Sequence, residues 1–288
     1  MATFKDHIRY LPLRLFIDPC SYAWTAFLGR LSHIELEPFK NNMIRFFNWL
    51  YRVNVNDAAK ADFSDYRHFN AWFTRHLRPE LRPIASEDHS ICSPVDGRII
   101  QIGDIQEGQL FPVKGQKLAL NELLAGSEEA SLPFKQGQYA ILYLSPQDYH
   151  RFHMPISGKL LKTVYVPGSL YSVSPLTARV IPKIFSRNER AICYFSTGLG
   201  TMAMILVGAV GVASIQLMWQ EVLKPYSRGK VKTWEYTDKQ IEIMQGKEVG
   251  YFNMGSTVIL LFPSKKLKWE KHLKPGSKIR MGEKIAIF

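Results

Sequence analysis

Residues 191–220 carry no charged side chain, and no other feature narrows the possible folds of this chain as much. A run of that kind needs shielding on both sides, either as strands in the middle of a sheet or as a helix through a bilayer. Its texture favours strands. Tyr194-Phe195-Ser196-Thr197 leads into a Gly198-Leu199-Gly200 turn, and Ile205, Val207, Val210, Val212 and Ile215 are β-branched, with Gly208 and Gly211 supplying bends.

The same grammar recurs on both sides of this run. Residues 91–103, 137–144, 156–166, 240–244 and 257–262 are short, β-branched and punctuated by Gly and Pro, as strands are. Three pieces share a strand, Gly-turn, strand cadence: Val95-Asp96-Gly97-Arg98-Ile99, Ile156-Ser157-Gly158-Lys159-Leu160 and Pro275-Gly276-Ser277-Lys278-Ile279. That cadence is like a barrel-sandwich hybrid. The expectation is an α+β protein, with a helical region over residues 1–84 and a β-rich catalytic domain over 85–288.

Before Pro83 the periodicity is helical. Met43, Phe46, Phe47 and Leu50 recur at i, i+3, i+4 and i+7 between Pro38 and Arg52, with Lys40, Arg45 and Arg52 alongside. An earlier aromatic and basic segment, from Tyr10 through Trp24, Phe27 and Leu28, is broken by Pro12 and Pro19. These segments suit the surface of an anionic membrane, or equally a cap over the following core. Ser64 or Asp65 is placed to cap a further helix whose Phe69, Trp72, Phe73 and Leu77 face inward. The apolar N-terminus is interrupted by Arg9, Arg14 and Asp18, so a cleaved export signal is not expected.

At 288 residues and 46% hydrophobic the chain can bury a large core, and its net charge of +12 is spread along it, which suits anionic lipid headgroups or polymers. Cys20, Cys92 and Cys193 have no paired spacing, so neither a disulfide framework nor a thiolate metal site is expected.

Three stretches carry candidate chemistry. In Gly255-Ser256-Thr257 a hydroxyl stands at the mouth of a continuous apolar run, either in a tight turn satisfying local backbone groups or as a nucleophile behind an unobstructed carbonyl. Asp96 follows a Pro-directed turn, and alone reads as a turn cap. His150 and His153 are bracketed by Pro146 and Pro155, and two imidazoles suit proton transfer or metal binding. Metal is the weaker choice, because no third ligand clusters with them. Tyr165-Val166-Pro167-Gly168 and Arg187-Asn188-Glu189-Arg190 form either a surface loop or a basic, aromatic wall for an anion.

In their order along the chain, Ser-Pro-Val-Asp96-Gly, Asp148-Tyr149-His150-Arg151-Phe-His153-Met-Pro155, Tyr165-Val-Pro-Gly168, Asn188-Glu189-Arg190 and Gly255-Ser256-Thr257 resemble the bacterial phosphatidylserine decarboxylase proenzymes. The resemblance runs from about Asp65 to the end, and departs from the family's Leu-Gly-Ser-Thr only in Met254, a residue of similar volume to Leu. It implies a protease-like triad of Asp96, His153 and Ser256 acting on its own chain. Ser256 would attack the carbonyl of Gly255, and the products would be a β chain of residues 1–255 and an α chain of residues 256–288 that stay together as a heterodimer. Ser256 would become a pyruvoyl group, the covalent cofactor and electron sink, with no metal. His150 would supply the proton that replaces CO2. The implied partners are phosphatidylserine and an anionic membrane surface, not nucleic acid, and the implied place is the cytoplasmic face of the inner membrane, peripherally bound. Two other classes stay open: a serine hydrolase using Ser256, His153 and Asp96 on an external ester, though no Gly-x-Ser-x-Gly elbow surrounds Ser256, and a non-enzymatic membrane-binding β module.

Overall fold

The structure is a computed structural model that describes residues 3, 6, 10–11, 21–113, 116–211, 214–223, 229–253, 256–263 and 267–288. It is mixed helix and strand, with a β-rich part of antiparallel sheets. The largest sheet has nine strands. Its spatial order is Lys232–Glu235, Gly158–Val166, Arg190–Thr197, Gly200–Val207, Ser256–Phe262, Gln138–Leu144, Gly97–Asp104 and Lys278–Ile279, and Glu242–Ile243 also pairs with Gly158–Val166.

The uncharged run falls where its composition requires. Arg190–Thr197 and Gly200–Val207 form a hairpin in the middle of this sheet, and the apolar residues of Gly200–Val207 are buried. No helix among the described residues is long and apolar enough to cross a membrane. Beside the hairpin lies Ser256–Phe262, buried at every position and hydrogen-bonded on both edges, to Gln138–Leu144 and to Gly200–Val207. Val258, Ile259, Leu260, Leu261 and Phe262 each gain about 1.5–3 kcal/mol from leaving water, so this strand anchors the sheet. Truncating Leu260 to Ala would cost about 2–5 kcal/mol.

The strand cadence is also explained. Two of its three copies pair directly, Lys278 with Arg98 and Ile279 with Gly97. At Gly97 a Cβ would stand 2.3 Å from the backbone oxygen of Tyr143, so only glycine allows this approach. A second sheet of four strands, Gln220–Leu223, Ile215–Leu217, Glu248–Phe252 and Arg151–His153, brings the histidine stretch alongside the segment that leads to residue 256.

Before the sheets come helices Ser21–Leu31, Glu37–Tyr51 and Phe69–Phe73, and the last two, with the chain between them, enclose a separate core of Ile44, Val53, Tyr66, Phe69, Trp72 and Phe73. Three expectations are corrected here. In Glu37–Tyr51 the apolar stripe divides: Ile44 is fully buried and Met43 and Phe47 pack on this core, while Phe46 and Leu50 stay exposed together with Trp49. The helix at Phe69 is capped not by Ser64 or Asp65 but by His68, whose Nδ1 accepts the Ala71 amide at 3.0 Å. It ends at Phe73, and Leu77 packs elsewhere, with Tyr149 and Met281. The segment at 12–20, with Pro12, Pro19 and Cys20, lies outside the described residues. Cys92 and Cys193 are buried free thiols.

Candidate functional site

Ser256 opens the central strand. It pairs with Leu144, is 1% exposed, and its Oγ has no hydrogen-bond partner among the described residues; the same holds for Thr257 Oγ1. A buried hydroxyl without a partner gives up stability, and in native structures such a group usually has another use. Gly255 and Met254 lie outside the described residues.

The loop between Leu144 and Arg151 is shaped by Asp148. Its carboxylate accepts from the amide of Ser145 at 2.7 Å and from the Ser145 hydroxyl at 2.6 Å, which closes a tight turn. His150 follows. Its backbone oxygen accepts from Phe252 at 2.9 Å, so the imidazole is carried by the strand that runs toward residue 256. The ring is fully buried against Phe73, centroids 4.1 Å apart. Its Nδ1 donates to the Asp148 carbonyl at 2.8 Å, which leaves Nε2 with a free lone pair, and that atom is buried without a partner. Burial pushes this imidazole down to about 3. Ser256 Oγ and His150 Nε2 are therefore two orphaned buried atoms carried by adjoining segments.

His153 and Asp96 are brought together through the backbone: the His153 amide donates to Pro94 at 2.8 Å. Their side chains face other partners. His153 Nδ1 donates to Gly246 at 2.9 Å and Nε2 accepts from the Tyr149 hydroxyl at 3.0 Å. Burial lowers its pKa, opposed by the Gly246 bond and by the nearby charges of Glu248 and Asp96. Asp96 is held by Arg82, through Nε at 2.9 Å and Nη2 at 2.6 Å, and by the Met281 amide at 2.8 Å. Burial disfavours the Arg82 charge, but the bonds to Asp96 and Asp57 outweigh it and hold the guanidinium above its ordinary range. No hydrogen bond among the described residues joins Asp96 to His153 or His153 to Ser256.

The Asn188-Glu189-Arg190 stretch is internal bracing. Arg190 donates to the carbonyls of Leu123, Ser186, Asn188 and Glu122, all at 3.0 Å or less, and Asn188 bonds Tyr171 and Gly208. Its guanidinium is spent on backbone, so it offers no wall to an anion.

Sequence reasoning passed over Tyr149 and Arg82. Tyr149 stood inside the histidine stretch, where attention to imidazoles hid it; Arg82 is fourteen positions before Asp96 and gave no signal. Two cavities border the site. One, of about 290 Å³, is lined by Asp96, Tyr149, Arg75 and Arg82; the other, of about 630 Å³, by Arg30, His68, Asn70 and Asn253. No group of three metal-ligating side chains occurs among the described residues.

Together these features define a class: a β-rich protein with a buried, unpartnered hydroxyl opening a central strand and two buried imidazoles beside it. The family model for phosphatidylserine decarboxylase matches residues 69–287. The chain is similar to the phosphatidylserine decarboxylase proenzymes of Marinobacter nauticus, 46% identical over 94% of this chain and 95% of that one, and of Idiomarina loihiensis, 43% identical over 90% of each. The proenzyme of Acidovorax ebreus is 41% identical over 98% of both chains. The chain belongs to the phosphatidylserine decarboxylase family.

Proposed function

We propose that this chain is a precursor that cuts itself between Gly255 and Ser256 and then decarboxylates phosphatidylserine to phosphatidylethanolamine. The observation that carries the proposal is Ser256 Oγ, buried and unpartnered at the head of a strand bonded on both edges. A cut before residue 256 would leave that strand in its sheet. Residues 268–269, 278–279 and 284–287 also pair within sheets, which supports an α chain of residues 256–288 staying with its β chain as a heterodimer.

For the cut, His153 takes the Ser256 proton and Asp96 stabilises the resulting imidazolium. Both steps require rearrangement from the geometry described, since Tyr149 occupies Nε2 and Arg82 occupies the Asp96 carboxylate. Ser256 Oγ then attacks the Gly255 carbonyl carbon, and the C–N bond breaks as the proton passes from His153 to the nitrogen, giving an ester. β-Elimination would free the Gly255 carboxylate, and water would replace the nitrogen of the dehydroalanine left behind, releasing ammonia.

The unpartnered position of residue 256 fits a pyruvoyl group. When present it withdraws electrons from the bond to the departing carboxylate. The protein manages the proton. Once CO2 has left, the α-carbon needs one proton, and His150, fully buried with Nε2 unpartnered beside the strand that leads to residue 256, is the residue assigned to deliver it.

Membrane binding rests on the outer helices. Trp24 and Phe27 on one, and Phe46, Trp49 and Leu50 on the other, are exposed aromatic and aliphatic side chains on a chain of net charge +12. Such helices suit a peripheral enzyme at the anionic cytoplasmic face of the inner membrane. The direct test is release of labelled CO2 from carboxyl-labelled phosphatidylserine in mixed micelles. The proposal requires release by the purified protein and none by Ser256→Ala.

A further inference from the structure

Among the cavities, the one of about 630 Å³ joins the Ser21–Leu31 helix to the segment before residue 256. Arg30 and His33 enter it from the Ser21–Leu31 helix and the turn that follows; His68, Asn70 and Arg151 line it from the other side; Asn253 stands at its inner end. Among the described residues its wall holds no carboxylate, whereas the smaller cavity sets Asp57, Asp96 and Asp148 among six cationic side chains. Both linings are net basic and suit an anion, and the larger cavity is the one that runs from the Ser21–Leu31 helix to Asn253.

The polar atoms are ordered along it. At the outer end Arg30 makes no ion pair among the described residues. His33 and His68 pack with ring centroids 4.6 Å apart. His68 Nδ1 accepts the Ala71 amide, which puts the ring proton on Nε2 and makes it a donor even in the neutral form. Arg151, by contrast, is committed to Glu248 at 2.6 Å and the Thr74 carbonyl at 2.7 Å. At the inner end Asn70 Nδ2 donates to Asn253 Oδ1 at 2.7 Å, and Asn253 Nδ2 in turn donates to Ser214 Oγ. That chain of donors fixes the orientation of Asn70 and leaves its Oδ1 buried with no donor.

From this order we infer that the cavity is the headgroup site for an amino-alcohol phosphodiester: Arg30 and His68 hold the phosphate, and Asn70 Oδ1 accepts from the ammonium. The inference rests on the decarboxylase reading and adds to it the residues that select the substrate. It places the phosphate beside the helix that exposes Trp24 and Phe27, and the amine beside Asn253, two residues before Gly255. The headgroup thus spans from the lipid-facing surface to the reacting residue.

The test uses the self-processed protein and Arg30→Gln and His68→Asn variants. Asn at position 68 keeps an oxygen for the Ala71 amide, so the helix cap survives while the Nε2 donor is lost. Calorimetric titration with monomeric dihexanoyl phosphatidylethanolamine should show affinity falling at least about tenfold in either variant, against about 1.4 kcal/mol for each tenfold. The KM for phosphatidylserine should rise by a similar factor, with a smaller change in kcat. Arg280→Gln, a charge change on the smaller cavity, should leave the affinity in place. Dihexanoylglycerol should bind far more weakly than the phospholipid, and so should inorganic phosphate. Unchanged affinity in both variants, or equal binding of inorganic phosphate, would overturn the headgroup site while leaving the decarboxylase reading intact. A wild-type protein that turns over no phosphatidylserine would remove that reading, and the headgroup site with it.

Discussion

The hydroxyl of Tyr149 lies 3.0 Å from Nε2 of His153, on the nitrogen that has to receive the proton of Ser256 if His153 is the base. With Nδ1 bound to the Gly246 carbonyl, the imidazole is held in the tautomer a base needs, and Nε2 is taken by the Tyr149 hydroxyl. Tyr149→Phe should therefore leave self-cleavage at least as fast as in the wild type, whereas His153→Ala should leave the chain uncut. A time course of cleavage on denaturing gels decides it. An uncut Tyr149→Phe chain would mean that the tyrosine is itself part of the relay.

His150 has a different place in the account. It is fully buried, with its Nε2 unpartnered, and is assigned to the proton of decarboxylation and not to the cut. His150→Ala should give a processed protein whose CO2 release falls by about 10²-fold or more, the usual contribution of a positioned acid or base. Normal turnover by that variant would sink the assignment.

The Arg82–Asp96 pair predicts a stability effect. Arg82 carries three bonds to Asp96 and one to Asp57 in a buried setting, and among the described residues Arg82→Met would leave the Asp96 carboxylate with only the Met281 amide. Removing one partner of such a pair costs about 3–5 kcal/mol. Urea unfolding of the uncut Ser256→Ala chain, with and without Arg82→Met, measures this on one polypeptide. A difference near zero would show that Asp96 finds another donor.

Two buried groups shape stability against pH in opposite directions. Burial pushes the Glu189 carboxyl up to about 8, against a hydrogen bond with Tyr165. Between the ordinary glutamate value of 4.5 and about 8 the native chain keeps a proton that the unfolded chain has lost. Stability from this group is then full below the unfolded pKa and is lost as pH rises toward 8, by up to about 1.4 kcal/mol per unit. His150, pushed down to about 3 from 6.5, acts on the acid side: the unfolded chain binds the extra proton, so stability is lost as pH falls through that window. Glu189→Gln should flatten the fall in stability between pH 4.5 and about 8 in urea titrations of the uncut chain. An unchanged slope would assign it to other groups.

Much of the sheet was legible because its signal is local. Residues 191–220 lack charge and are rich in β-branched residues with Gly bends, which favoured strands over a spanning helix, and Ser256–Phe262 is a continuous β-branched and apolar run, so both read as buried strand. The helix stripe was less legible. Phe46 and Leu50 are as hydrophobic as Phe47, and periodicity cannot say which of two adjoining apolar faces meets the core and which is left outside. The cap at His68 was missed because imidazole is an uncommon capping group and Ser64 and Asp65 are common ones. At the site, Ser256, His150, His153 and Asp96 were all singled out from sequence, but the partners that now hold them were not. Arg82 and Gly246 reach Asp96 and His153 across the fold, and nothing in the local sequence marks such a contact.

The central claim is that Ser256 becomes the reactive group by cutting the chain that carries it. Mass spectrometry of the purified wild-type protein under denaturing conditions tests this most directly. The account predicts two polypeptides, residues 1–255 and residues 256–288, the shorter lacking a free amino terminus because residue 256 has become a pyruvoyl group. A single intact chain of 288 residues in a preparation that releases CO2 from phosphatidylserine would contradict it.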